Sequence, residues 1–151
     1  MTERAARIGP VAFIGLGMMG LPMAARLVEA GFEVRGSDLS PRARAAFAAR
    51  GGTAFAAADE AAGGTEIVIT MLSDGRIVRD VLVGAGRAAE TMAPGGLVID
   101  MSSSAPLETR ALAAELAQFG LAMIDAPVSG GVRRADNGSL AVMAGGEATQ
   151  I

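Results

Sequence analysis

The stretch VAFIGLGMMGLPMAARLVEAG (11–31) constrains the fold more than any other part of the chain. Residues 11–15 form a continuous apolar run that ends in the first glycine of a G-x-G-x-x-G pattern: Gly15, Gly17 and Gly20. A run that is apolar at every position reads as a strand buried on both faces, as in a parallel sheet covered on both sides. Apolar residues at helical spacing follow, up to Gly31. In a strand–turn–helix of this kind Gly15 permits the sharp turn and Gly17 lets a ligand's pyrophosphate approach the backbone. Gly20 lets helix and strand pack closely. The start of the helix offers N–H groups and partial positive charge to phosphates. In a chain with 21 Gly the pattern alone is a weak signal, and its place between strand and helix gives it weight.

The same alternation runs on. Residues 33–38 read as a short strand, and 40–51 as a helix with Ser40 as N-cap and Pro41 at its first position. A short strand (53–55), a short helix (58–64) and a strong buried strand (66–72) follow. Next come a helix capped by Ser73 or Asp74 (73–84), a strand (97–102), a helix (104–120) and a strand (121–128). Residues 137–146 hold a turn at Asn137-Gly138 and a last strand. Strands separated by helices predict an α/β fold: a Rossmann-type doubly wound, mostly parallel sheet with helices on both faces. Ligand-binding loops then gather at the C-terminal edge of the sheet. At 151 residues the chain is one domain in size.

Absences narrow the chemistry. There is no Cys and no His, and all 13 basic residues are Arg, so the chain carries no lysine. Thiolate chemistry, Ser-His triads, Cys or His metal sites and a Schiff-base or phosphate-loop lysine are excluded within it. The net charge of −3, with no Tyr or Trp, gives no footing for nucleic acid. No apolar run approaches membrane length and no signal-peptide pattern opens the chain, so the expectation is a cytoplasmic protein without a membrane partner.

A second strand ends at Asp38, eighteen residues beyond Gly20. A carboxylate there can accept hydrogen bonds from both adenosine ribose hydroxyls and repels a 2′-phosphate, which favours NAD over NADP. The competing arrangement has Arg42 or Arg44 holding that phosphate, so NADP stays open.

Four blocks in order, FIGLGMMGLPMAARLVEAGFEV, VITMLSDGRIVRDVL, IDMSSSAP and DAPVSGGVRRADNGSLAVMAGG, closely resemble the N-terminal domain of the β-hydroxyacid dehydrogenases. That family includes 3-hydroxyisobutyrate dehydrogenase, tartronate semialdehyde reductase and, more distantly, 6-phosphogluconate dehydrogenase. The resemblance covers nearly the whole chain. It implies that Gly15, Leu16, Gly17, Met18, Met19 and Gly20 carry the pyrophosphate, that Asp38 reads the ribose, and that Met71 and Leu72 line the adenosine side. Ser103 stands where the family commonly has Thr, near the nicotinamide. Ser129, Gly130 and Gly131 match the motif that holds the carboxylate of a small hydroxyacid substrate.

The last role also follows from the residues, since two successive glycines can aim their N–H groups into one concavity suited to an anion. A glycine-rich turn is the plainer alternative. Asp125 reads as an Asx-turn residue and Asp100 as a structural or supporting one. Arg133 and Arg134 read as solvated, and most methionines as core fillers.

The resemblance further implies a homo-oligomeric enzyme whose catalytic lysine lies on an all-helical domain downstream. Residues 1–151 are then the dinucleotide-binding domain alone, incomplete at its C-terminal end and inactive or nearly so by itself. Two other readings remain: an imine reductase-like relative, and a non-catalytic NAD-binding module.

Overall fold

Strand β1 (Val11–Ile14) is buried at all four positions and sits at the centre of the molecule. It pairs in parallel with β2 (Val34–Ser37) on one side and β4 (Ile67–Thr70) on the other. The computed structural model, which describes residues 8–150, extends this pairing into a six-stranded parallel sheet of order β3-β2-β1-β4-β5-β6. Here β3 is Thr53–Phe55, β5 is Leu97–Asp100 and β6 is Ala122–Asp125. The chain reverses its direction of winding between β1 and β4, the switch point at which such sheets open a ligand crevice.

Side chains alternate along the strands and feed two cores. Ala12, Ile14, Val68 and Val98 pack against α3 (Ala58–Ala62), α4 (Gly75–Val83), α5 (Ala88–Thr91) and α6 (Pro106–Ala117). Val11, Phe13, Val34 and Ile69 pack against α1 (Gly20–Glu29), α2 (Pro41–Ala48) and α7 (Gly131–Asn137). Phe13 and Phe47 are essentially fully buried, and each such ring stabilises the fold by about 1.5–3 kcal/mol.

Helix ends follow their sequence signals. Ser40 Oγ accepts the Ala43 amide, and Asp74 rather than Ser73 caps α4, its Oδ1 accepting the amides of Arg76 and Ile77. After α1, Gly31 N donates to Val28 O and Phe32 N to Leu27 O, a Schellman closure.

The end of the chain departs from the expected pattern. The run 121–128 is not one strand. It leaves the sheet after Asp125, at Ala126-Pro127, and Val128–Ser129 (β7) turns away to pair antiparallel with Ala141–Val142 (β8). Pro127 has no N–H to give a ladder, and the Asp125 amide donates instead to the Gly145 carbonyl. The last strand therefore belongs to a two-stranded ribbon outside the main sheet. The expected turn at Asn137-Gly138 closes α7, with Gly138 left-handed. Two methionines expected in the core, Met18 and Met143, are exposed.

Beyond α1, the sheet face over β4–β6 carries an apolar groove of about 470 Å³, lined by Phe13, Ile69, Ile99, Ile124, Leu140 and Val142 among others. No helix among the described residues is long and apolar enough to cross a membrane.

Candidate cofactor and substrate site

The three glycines of the β1–α1 loop do different work. Gly15 has φ +100°, and its amide donates to the Ser37 carbonyl at 2.9 Å. A Cβ there would collide with the Met71 carbonyl, and one at Gly20 with the Gly15 carbonyl. These two residues thus bring strand, helix and the neighbouring β4–α4 loop together. Gly17 differs: it is exposed, and the space where a Cβ would stand is open. Helix α1 has Met19 at its N-cap and no side-chain cap; the Leu21 amide donates to the Gly17 carbonyl at 3.0 Å and Pro22 has no N–H, which leaves the Gly20 amide at the first position of the helix. Close-packed glycines behind and an open one in front suit a pyrophosphate. Leu16 is buried beneath the loop, Met19 is half-buried, and Met18 stands 81% exposed at the crest.

Asp38 joins this loop to the next. Its Oδ2 accepts the Leu16 amide at 2.8 Å and its Oδ1 accepts the Ser40 amide at 2.8 Å. Beside it opens a cleft of about 680 Å³ at the β1/β4 switch point, lined by Gly15, Asp38, Leu39, Leu72 and Ile77 among others. Leu39 is 90% exposed at its rim. Asp59 and Asp80 also line the cleft, and among the described residues no arginine does. Neither candidate phosphate-binding arginine is among the residues that line the cleft, although Arg44 sits directly behind its rim. Arg44 donates to the Asp38 and Leu39 carbonyls, and Arg42 is exposed on α2. Of the two residues after β4, Leu72 lines the cleft, whereas Met71 packs toward the core that holds Phe13 and Met23.

Ser103 stands exposed in the β5–α6 loop between two anchored neighbours. Asp100, fully buried, accepts the Ser102 amide at 3.0 Å and the Ser104 hydroxyl at 2.7 Å. It also accepts the Thr70 hydroxyl at 2.9 Å. Ser102, also buried, accepts the Leu72 amide at 2.9 Å. Sequence reasoning missed Ser102. Its signal was an Asp at a strand end with a serine two residues on, the spacing of an Asx-turn.

Ser129, Gly130 and Gly131 lie exposed where β7 meets α7. Both glycines have positive φ, +138° and +69°, which side chains rarely adopt. The Arg134 stem fills the position a side chain on Gly130 would take, so that arginine is not simply solvated. The whole excursion is closed at its neck: Asp125 N donates to Gly145 O at 2.9 Å and Gly145 N donates back to Asp125 O at 2.7 Å. Asp125 is not the expected Asx-turn residue, since its Oδ1 is buried without a hydrogen-bond partner. Burial, and secondarily the neighbouring Asp100, push its carboxyl above the usual carboxylate range.

The structure thus gathers the glycine loop, Asp38 and Leu72 around one cleft. It sets Ser103 and the Ser129-Gly130-Gly131 turn on other loops of the same sheet edge.

Known proteins share both sequence and shape. Residues 10–151 match the model for the NAD binding domain of 6-phosphogluconate dehydrogenase. The chain is 40% identical over 141 residues to 3-sulfolactaldehyde reductase of Escherichia coli, spanning 93% of this chain and 47% of that protein. It is 42% identical over 141 residues to a probable 3-hydroxyisobutyrate dehydrogenase of Mycobacterium tuberculosis, with the same coverage. The chain therefore spans about half the length of the curated relatives it matches. A solved M. tuberculosis 3-hydroxyisobutyrate dehydrogenase with L-serine superposes with a TM-score of 0.88 at 40% identity, over 94% of this chain and 48% of that one. More distant structures include Psf3 in complex with NADP+ (TM-score 0.83, 27% identity, 93% of this chain and 50% of that one). A Streptomyces aurantiacus imine reductase is similarly distant (0.81, 28%, 93% and 48%).

Proposed function

The chain belongs to the family of the NAD-binding domain of 6-phosphogluconate dehydrogenase, and from that premise we propose that it is the cofactor-binding half of an oxidoreductase acting on a small 3-hydroxy acid, with NAD preferred to NADP. One observation carries the cofactor choice. Asp38 is held by the Leu16 and Ser40 amides at the edge of a cleft that, among the described residues, also presents Asp59 and Asp80 and no arginine. A carboxylate fixed from two sides cannot swing away from a 2′-phosphate, while its remaining lone pairs can take ribose hydroxyls. Bound nicotinamide would exchange hydride with the substrate carbon. The chain's own residues bind and orient: the glycine loop takes the pyrophosphate, Leu72 flanks the adenosine, and Ser103 lies toward the nicotinamide end. Ser129, Gly130 and Gly131 cradle the substrate carboxylate. That anion cradle supports a hydroxyacid over an imine.

No lysine, histidine, cysteine or tyrosine is present to exchange the substrate proton. We assign that step to the part of the relatives this chain does not span. General acid–base help is typically worth about 10²–10⁴-fold, so the isolated chain should bind cofactor without appreciable turnover. Titrating the purified chain with NADH and NADPH by fluorescence tests the reading. Tighter NADPH binding would overturn the choice of NAD, and failure to bind either would overturn the function.

A further inference from the structure

One buried residue, Asp100, bonds to three segments of the sheet edge that carries the proposed site. The Asp100 carboxylate accepts the Thr70 hydroxyl from the tip of β4, and the Ser102 amide and Ser104 hydroxyl from the β5–α6 loop. Its main-chain carbonyl accepts the Ala126 amide at 2.7 Å, the first residue of the segment leading to Ser129. Ser102 relays the connection by accepting the Leu72 amide at 2.9 Å. Adenosine wall, nicotinamide-end loop and substrate turn therefore share one anchor.

We infer that Asp100 and Ser102 are positioning residues, which hold Leu72, Ser103 and the start of the substrate turn in fixed relation for the cofactor. This inference rests on the cofactor-binding reading above. Stability alone does not call for the arrangement. A fully buried carboxylate is expensive to desolvate, and well-packed apolar groups in such places are often neutral or stabilising. None of the donors it satisfies lies in mid-strand: all are at a strand tip or in a loop of the sheet's ligand-binding edge. The bonding also explains why Ser103 points to no partner of its own while both neighbouring serines are spent: 102 and 104 are the posts between which 103 is presented.

The test compares affinity for NADH, which spans the whole site, with affinity for AMP, which reaches only the adenosine wall. Ser104→Ala should weaken NADH by about five- to tenfold, the value of one ordinary hydrogen bond, and leave AMP unchanged. Ser104→Thr, which keeps the hydroxyl, should restore NADH binding. Ser102→Ala should weaken both ligands and speed hydrogen exchange at the Leu72 amide relative to Ile69. A general loss of stability would not separate AMP from NADH in this way. Should Ser102→Ala fail to fold, Ser104→Ala carries the test, since its hydroxyl lies only half-buried. Folded variants that bind NADH within about twofold of the unmodified chain would overturn the inference. An unmodified chain that binds neither ligand would instead sink the cofactor reading, and this inference with it.

Discussion

The carboxylate of Asp38 accepts the backbone amide of Leu16 at 2.8 Å, across twenty-two residues of sequence. The residue placed to read a ribose is thus also the brace of the loop placed to hold the pyrophosphate. Under the proposed function, recognition of sugar and of phosphate is therefore coupled through one side chain.

That coupling predicts an unusual outcome for Asp38→Ala. The variant loses the ribose contact and unties Leu16 and Ser40 together, so NADH should weaken by about 1.5–3 kcal/mol, as for hydrogen bonds to a charged group. NADPH should gain little, because Asp59 and Asp80 still line the cleft and no cation has been supplied. Parallel titrations of both cofactors check this, and a clean switch to NADPH would show that Asp38 acts by repulsion alone.

The glycines of the loop should separate folding from binding. Gly20→Ala drives a methyl into the Gly15 carbonyl and should cost about 1–3 kcal/mol of stability or more. Gly17→Ala meets nothing in the free protein and should stay within about 0.5 kcal/mol of it. Its methyl occupies the face where the pyrophosphate approaches, so NADH should weaken on the order of tenfold, or about 1.4 kcal/mol. Melting curves and titrations on the two variants should rank them in opposite orders.

Asp125 should leave a mark on the pH dependence of stability. Its carboxyl is raised in the folded chain, first by burial and then by Asp100. The folded state therefore holds a proton that the unfolded state releases from about its ordinary value of 3.8. This group's contribution is favourable in acid and is lost as pH rises through the folded value. Asp125→Asn should then raise the melting temperature at pH 7 and bring little or no gain near pH 3. A gain that is equal at both values would remove the proton as its cause.

Gly130→Ala should be destabilising for two reasons that can be separated. The backbone at φ +138° is strained for any side chain, costing about 1–3 kcal/mol, and the Arg134 stem occupies the methyl's place. Adding Arg134→Ala should recover only part of the loss. Full recovery in the double variant would mean that crowding, not backbone strain, dominates.

The sequence carried the architecture because periodicity reports burial directly. Residues 11–14 and 67–70 are apolar runs, and they became the paired central strands. The glycine loop and Asp38 were legible because their spacing is a mechanical requirement of a strand–turn–helix that carries phosphate. What stayed hidden were the partners. Nothing in the pattern around Asp38 says that its oxygens are taken by Leu16 and Ser40, and nothing near Asp100 predicts Thr70, thirty residues away. The run 121–128 misled for a similar reason. It is apolar on both sides of Asp125, but the strand ends where Pro127 offers no donor and Asp125 finds Gly145. Met143 shows the same limit, since an apolar residue on an exposed ribbon carries no mark that distinguishes it from a core residue.

The pair of hydrogen bonds between Asp125 and Gly145 has an evolutionary reading. A segment pinned at its own neck can vary along its exposed stretches without re-registering the six strands behind it, while Ala126, bonded to Asp100, and the buried Ala135 keep their places. Under the proposed function, changes at those exposed positions would alter selectivity for the acid while the loops that face the nucleotide keep theirs. A transplant of that segment from a relative should accordingly leave the host's melting temperature and nucleotide affinity nearly where they were.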